Sequence, residues 1–175
     1  MLLSLHVTDR FVDIVQEGFD IAIRSHQQPL PDSALVQRRM AVHDFHVVAA
    51  PAYLEKHGSP ARPEDLSGHR AIISHPTETT WRLRSAHGVG KDVSVTPVMA
   101  ADEPFVLLKA AAAGIGVTVL PTSVYLPALA DGTLKRVLPD WTVGQITTSI
   151  LIPHRRGQLP SVRAVVDFLI EAAGA

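Results

Sequence analysis

The chain has 175 residues, 46% hydrophobic and 19% charged, a balance that supports a packed core and excludes a disordered chain. A formal net charge of −1 gives no electrostatic footprint for a phosphate backbone, so any DNA contact belongs to a part outside this sequence. Cysteine is absent, which excludes disulfides and thiolate chemistry.

No stretch reaches the ~20 apolar residues of a membrane span. The apolar run in residues 2–7 is too short for a signal peptide and lacks a basic flank. A cytoplasmic protein is therefore expected. Residues 2–7 (LLSLHV) read as a strand. Residues 9–17 read as an amphipathic helix with Phe11, Val12, Ile14 and Val15 on one face, capped by Thr8 or Asp9 and stopped by Gly18. DIAIR (20–24) alternates into a second strand, and strand–helix–strand with tight links predicts a parallel βαβ unit.

After a proline-marked loop, residues 34–40 and 43–50 read as two strands. Pro51 starts a short helix that Gly58 ends, and residues 61–69 form a loop with one helical turn. RAIIS (70–74) is a strand. WRLRS and KDVSVTPVMA read as a hairpin around AHGVG. Residues 103–113 form a helix apolar almost all round, capped by Asp102, with Pro104 in its first turn and Gly114 as its stop. IGVTVLP is a short buried strand. Residues 122–132 form a helix interrupted at Pro127, TLKRVL and QITTSILIPH are strands, and the last helix spans 160–172 with Val162, Val165, Val166 and Leu169 on one face. Helices and strands alternate, which is the α/β class.

Nine histidines raise a metal site, but His43 and His46 lie three apart in a strand and point to opposite faces. His69, His75, His87 and His154 are scattered, so no metal ligand set is assigned. There is no G-x-S-x-G elbow. Gly114-x-Gly116 precedes a strand rather than opening a helix, so it reads as a helix stop plus close packing and not as a dinucleotide fingerprint. The pairs Asp102–Glu103 and Glu64–Asp65 fall at helix starts, where capping explains them better than acid–base catalysis. Trp81 and Trp141 read as packing anchors. No catalytic residue and no cofactor is assigned. What remains are loops at the carboxyl ends of strands, Ser25–His26, 74–79 and 101–105, which suit a small polar ligand or are ordinary surface loops.

VDIVQEGFDIAIR, then LPDSALVQRRM, VVAAPAYLEKHGSPARPEDLSGH, KAAAAGIGVTVLP, DGTLKRVLPDW and RAVVDFL resemble, in order and at the usual spacing, the effector-binding domain of LysR-type transcriptional regulators. No single motif is diagnostic; the ordered set is. The resemblance implies two Rossmann-like α/β subdomains of the periplasmic-binding-protein type 2 fold. Subdomain I would comprise 1–72 plus 150–175, and subdomain II 73–149. It also implies that the first strand and helix of the domain, and the DNA-binding domain, lie outside this chain. The implied function is sensing of a small-molecule effector in the interdomain cleft, with no enzymatic step. Applied to the strand-end loops, it makes Ser25 and His26 of one lobe, and His75, Thr77, Asp102 and Phe105 of the other, the ligand-binding candidates. A homodimer through helix 9–17 and helix 122–130 is implied as well. The alternative is a solute-binding protein of a transporter, which would require a secretory signal or lipid anchor. An enzyme on the same fold would require a cleft carboxylate or cofactor lysine, and the sequence offers neither convincingly.

Overall fold

The computed structural model describes residues 2–8, 10–31, 34–154 and 159–173. The chain divides into two compact units, residues 1–42 with 147–175 and residues 43–146. These boundaries fall at 42/43 and 146/147, where the resemblance placed them at 72/73 and 149/150.

In the first unit, β1 (Ala22–His26) pairs antiparallel with β10 (Gln145–Pro153), in register from Ala22↔Leu151 to His26↔Thr147. β10 also neighbours β2 (Leu35–Ala49), and α4 (Pro160–Ala173) covers this sheet. The amphipathic reading of α4 holds. Val162 and Val166 are buried against Ile150 and Ile152, with Leu169 and Ile170 packed alongside.

Three expectations for this unit are corrected. Residues 2–7 form no strand: Leu2, Leu3, Leu5 and Val7 are exposed, and no described strand pairs with them. A strand is held by its ladder, and here the sequence pattern has no ladder to join. Residues 10–17 form no helix either. Residues 11–13 are irregular, and a turn over 14–18 is closed by Glu17 N–H donating to Asp13 O at 2.9 Å. The Asp13 carboxylate accepts from Val15 and Gln16 N–H, an Asx cap that offers the backbone an alternative to a longer helix. Arg24 fastens the segment by lying 3.7 Å from the Phe11 ring centre and donating to Val12 O. Gly18 does take a left-handed φ of 78°, as a stop residue should. Thr8 accepts from Arg10 N–H; Asp9 lies outside the described residues. With neither the strand nor the helix formed, the parallel βαβ unit is absent, and β1's described neighbour is antiparallel.

In the second unit, β2 continues without the expected break, because Phe45–Val48 pair with β7 (Val117–Pro121) and Val47–Ala49 with β8 (Lys135–Val137). The two predicted strands are thus one 15-residue strand serving both units. β3 (Arg70–Ile73) runs parallel to β7 and to β6 (Thr96–Ala100), the edge of the sheet, where Pro97 is tolerated. β4 (Thr80–Ser85) and β5 (Gly90–Ser94) form the predicted hairpin, and β9 (Trp141–Thr142) joins β4. The expected second arm splits at Val95, because its two halves join different sheets.

Pro51 opens α1 (Pro51–His57), and residues 63–68 form a 3-10 turn. Three corrections concern the longer helices. α2 (Pro104–Ala112) is capped by Glu103, whose carboxylate accepts from Val106 N–H at 3.0 Å, one residue later than expected. Its apolar surface is not buried all round: Leu107, Ala110 and Ala111 face the core, while Phe105 is 60% exposed. α3 (Thr122–Ala130) runs through Pro127 uninterrupted. The N–H that proline lacks would have reached Ser123, an exposed residue whose carbonyl water can satisfy. The core of this unit gathers Val47, Leu66, Ile72, Trp81, Leu83 and Tyr125.

Candidate functional site

Ser25 and His26 end β1 in the first unit. The Ser25 hydroxyl meets Thr148 Oγ1 at 3.1 Å. His26 sits in a chain of hydrogen bonds whose directions are fixed by the groups at its ends. Gln28 O can only accept, so His26 Nδ1 donates to it at 2.7 Å. In the neutral ring Nε2 then accepts from the Ser149 hydroxyl at 2.9 Å, and Ser149 Oγ accepts from Gln37 Nε2 at 3.2 Å. Both ring nitrogens are engaged, so the ring is held in place.

The other four candidates lie in the second unit, at adjacent carboxyl ends of the parallel strands β3 and β6. Ile73 aligns with Ala100, and Ala101 N–H donates back to Ile73 O. The loop after β3 is organised by Glu78, whose carboxylate accepts from Ser74 N–H and Ser74 Oγ–H at 3.1 and 2.7 Å. His75 Nδ1 meets Thr77 Oγ1 at 2.9 Å, and both residues are exposed. Across from them, Asp102 is exposed and has no hydrogen-bond partner among the described residues. Phe105 presents its ring from the first turn of α2. His75, Thr77, Asp102 and Phe105 therefore share one edge of this sheet, while Ser25 and His26 belong to the other unit.

Sequence reasoning missed Gln37, Thr148 and Ser149, which organise the β1 end. The available signal was Ser149, a hydroxyl inside the apolar run of β10. It is fully buried, and a buried hydroxyl must have a partner. Sequence reasoning weighed His46 only as a metal ligand and set it aside. This ring is buried, with Nδ1 against the Tyr125 hydroxyl at 3.0 Å. Burial, then the positive Arg136, hold its pKa below the ordinary value against the opposing pull of Asp44. His69 is likewise lowered by burial and then by His57, against Asp65. Tyr53 OH accepts from Arg70 N–H at 3.0 Å and stands 3.3 Å from His69 Nδ1, where its proton has an acceptor.

Because both folded-state values lie below the unfolded value of ~6.5, the unfolded chain binds more protons once pH falls below it. The stability these two rings contribute is complete above about pH 6.5 and is lost as pH falls toward their folded values. Thermal melts of the chain are expected to show a midpoint falling from pH 7.5 to 5.5. The double variant His46→Gln, His69→Gln is expected to flatten that slope; an unchanged slope would assign the acid sensitivity to other groups.

Among the described residues no three His, Asp or Glu side chains gather into a metal site. No helix there is long and apolar enough to cross a membrane. The strand ends of the two α/β units carry hydroxyl, imidazole and aromatic groups.

A family model described as the LysR substrate binding domain matches residues 1–174, and the chain belongs to that family. A transcriptional regulator of the helix-turn-helix type from Xanthomonas campestris pv. campestris is 30% identical over 174 residues, covering 96% of this chain and 50% of the relative. The probable regulator LtrA of Klebsiella pneumoniae is 30% identical, covering 99% and 57%. The full-length Vibrio cholerae virulence activator AphB superposes with a TM-score of 0.82 at 27% identity, covering 97% of this chain and 57% of that one. The regulatory domain of CrgA from Neisseria meningitidis gives 0.81 at 25% identity, covering 95% and 81%. The fold is thus the one expected, that of LysR-type regulatory domains. The chain spans about half the length of the relatives it matches.

Proposed function

We propose that this chain is the effector-sensing domain of a LysR-type transcriptional regulator, binding a small polar or weakly acidic metabolite and catalysing no reaction. The observation that carries the reading is the family match along residues 1–174, with helix-turn-helix regulators as the relatives. Those names favour a regulator over the transporter alternative. The effector is held by Ser25, His26, His75, Thr77, Asp102 and Phe105, through hydroxyls and backbone groups with Phe105 as an apolar wall. Asp102 and the Glu103 cap leave that rim acidic, which argues against a strongly anionic effector.

Ligand binding acts by favouring one arrangement of the whole protein over another, which requires different affinity for the two. DNA is contacted by a domain outside this sequence, in a cytoplasmic homodimer. α3 remains a candidate interface element. Its proposed partner is the turn around Asp13–Gly18 rather than a helix over 9–17, and there Arg10 and Glu17 already neutralise each other, with Nη1 to Oε1 at 2.9 Å.

A thermal-shift screen of metabolites on the chain tests the reading. A ligand at 100 times its Kd is expected to add about 2.7 kcal/mol of stability. Ser25→Ala and Thr77→Ala each remove one hydrogen bond of about 1 kcal/mol, so each should weaken that ligand roughly fivefold. A ligand whose affinity ignored both substitutions would place the site elsewhere.

A further inference from the structure

A second pocket, of about 560 Å³, lies wholly within residues 43–146, between α3, the end of the β4–β9 pair and the turn after β8. None of the six effector candidates lines it. Its most unusual group is Arg136. The guanidinium Nη2 donates to Pro139 O at 2.8 Å, but its Nε is buried with no partner among the described residues. A charged donor buried without an acceptor is costly, and a carboxylate paired with the same guanidinium offsets that cost through the shared charge.

Arg84 lines the same pocket and has no side-chain acceptor among the described residues. Its neighbour on the same face of β4, Arg82, pairs with Asp92 at 2.9 Å. Two carboxylates balance these cations. Asp140 has no side-chain partner among the described residues, and Asp44 has one oxygen held by Gln145 at 2.8 Å. α3 adds an apolar stretch to a wall otherwise holding Ser85, Thr122 and Thr142, with Leu126 54% exposed and Leu129 half-buried. His46 lines the pocket as a neutral ring engaged with Tyr125, so it adds no charge.

A pocket with two guanidinium groups, two carboxylates and an apolar wall is matched neither by a simple anion nor by a simple cation. No ion pair joins these arginines to these aspartates among the described residues, so a simple anion would also face two carboxylates and a simple cation two guanidinium groups. We propose that this pocket binds a free α-amino acid with an apolar side chain. Its carboxylate accepts from Arg136 and Arg84, its ammonium faces Asp140 and Asp44, and its side chain lies on Leu126 and Leu129. This is a site separate from the proposed effector site, and the pairing of charges with an apolar wall sets its selectivity.

The test is isothermal titration of the 175-residue chain with L-leucine, L-methionine and L-phenylalanine, alongside N-acetyl-leucine and leucine amide. At least one free amino acid is expected to bind saturably. The acetylated and amidated forms, each lacking one charge, should bind roughly tenfold more weakly or worse. Arg84→Gln and Asp140→Asn are surface substitutions that leave the core intact, and each should weaken the amino acid by a similar factor. Arg136→Gln should abolish binding; should that variant unfold, Arg84→Gln and leucine amide decide the question. Absence of saturable binding by all three amino acids, or binding that Arg84→Gln and amidation leave unchanged, would overturn the proposal. Ser25→Ala and Thr77→Ala are expected to leave this binding unaltered, so its failure is distinct from failure of the effector site.

Discussion

Gly116→Ala is expected to destabilise the chain by about 3 kcal/mol or more, at the upper end of what overpacking costs. A Cβ at this position would lie 2.2 Å from Arg70 O and 3.0 Å from Arg70 C. Both atoms are backbone, at the start of β3, and Gly116 immediately precedes β7, which pairs with β3 in parallel. No side chain can rotate away, so relief requires the two strands to part at the centre of the sheet. For a chain of this size the loss corresponds to a melting point lower by roughly 6–12 °C. Gly68→Ala and Gly90→Ala serve as controls, because an added Cβ there meets nothing within 4 Å. A Gly116→Ala melt indistinguishable from those controls would mean that β3 and β7 do not approach as described.

Trp81→Ala is expected to cost about 3–5 kcal/mol, the range for emptying a large aromatic site in a packed core. Trp81 is 1% exposed and packs in the cluster that includes Leu83, Val93 and Val95. Its indole Nε1 is buried without a partner among the described residues, which adds a second, opposite effect. Trp81→Phe keeps an aromatic ring and removes the unsatisfied donor, whose burial costs about 1–3 kcal/mol. That variant should therefore lose far less than Trp81→Ala. Urea titrations separate the two: the midpoint falls sharply for alanine and slightly for phenylalanine, with m unchanged in both. Equal losses would show that the indole edge, not ring burial, sets the stability at this position.

Much of the second unit was legible in the order of residues. The stop at Gly114, the start at Pro51, the hairpin around residues 86–90 and the buried strand at 117–121 each rest on local chemistry. Gly114 adopts a φ of 74°, which glycine tolerates and other residues resist. Gly116 was read as close packing, and the carbonyl it approaches is now identified as that of Arg70. Trp81 was read as an anchor and is one.

Local pattern misled where the outcome depended on a neighbour. LLSLHV has the alternation of a strand but has no ladder among the described residues. The helical spacing of 11–15 yields to the Asx cap of Asp13. The break expected near residue 41 is absent because β2 finds partners along both of its halves. Of the candidate site, the sequence pointed to the strand-end loops. It did not show that Ser149 and Gln37 hold the His26 ring, or that Glu103 rather than Asp102 caps α2. Composition, helix stops and the ordered family segments are properties of residues taken singly or in short runs, and the sequence by itself determined the α/β class and the family. Strand partners, the split of residues 91–100 between two sheets, and the meeting of Arg84, Arg136, Asp44 and Asp140 at one pocket join residues far apart in the chain. Only the tertiary structure decided these, because hydrogen-bond ladders and buried charges are satisfied by whatever the fold brings alongside them.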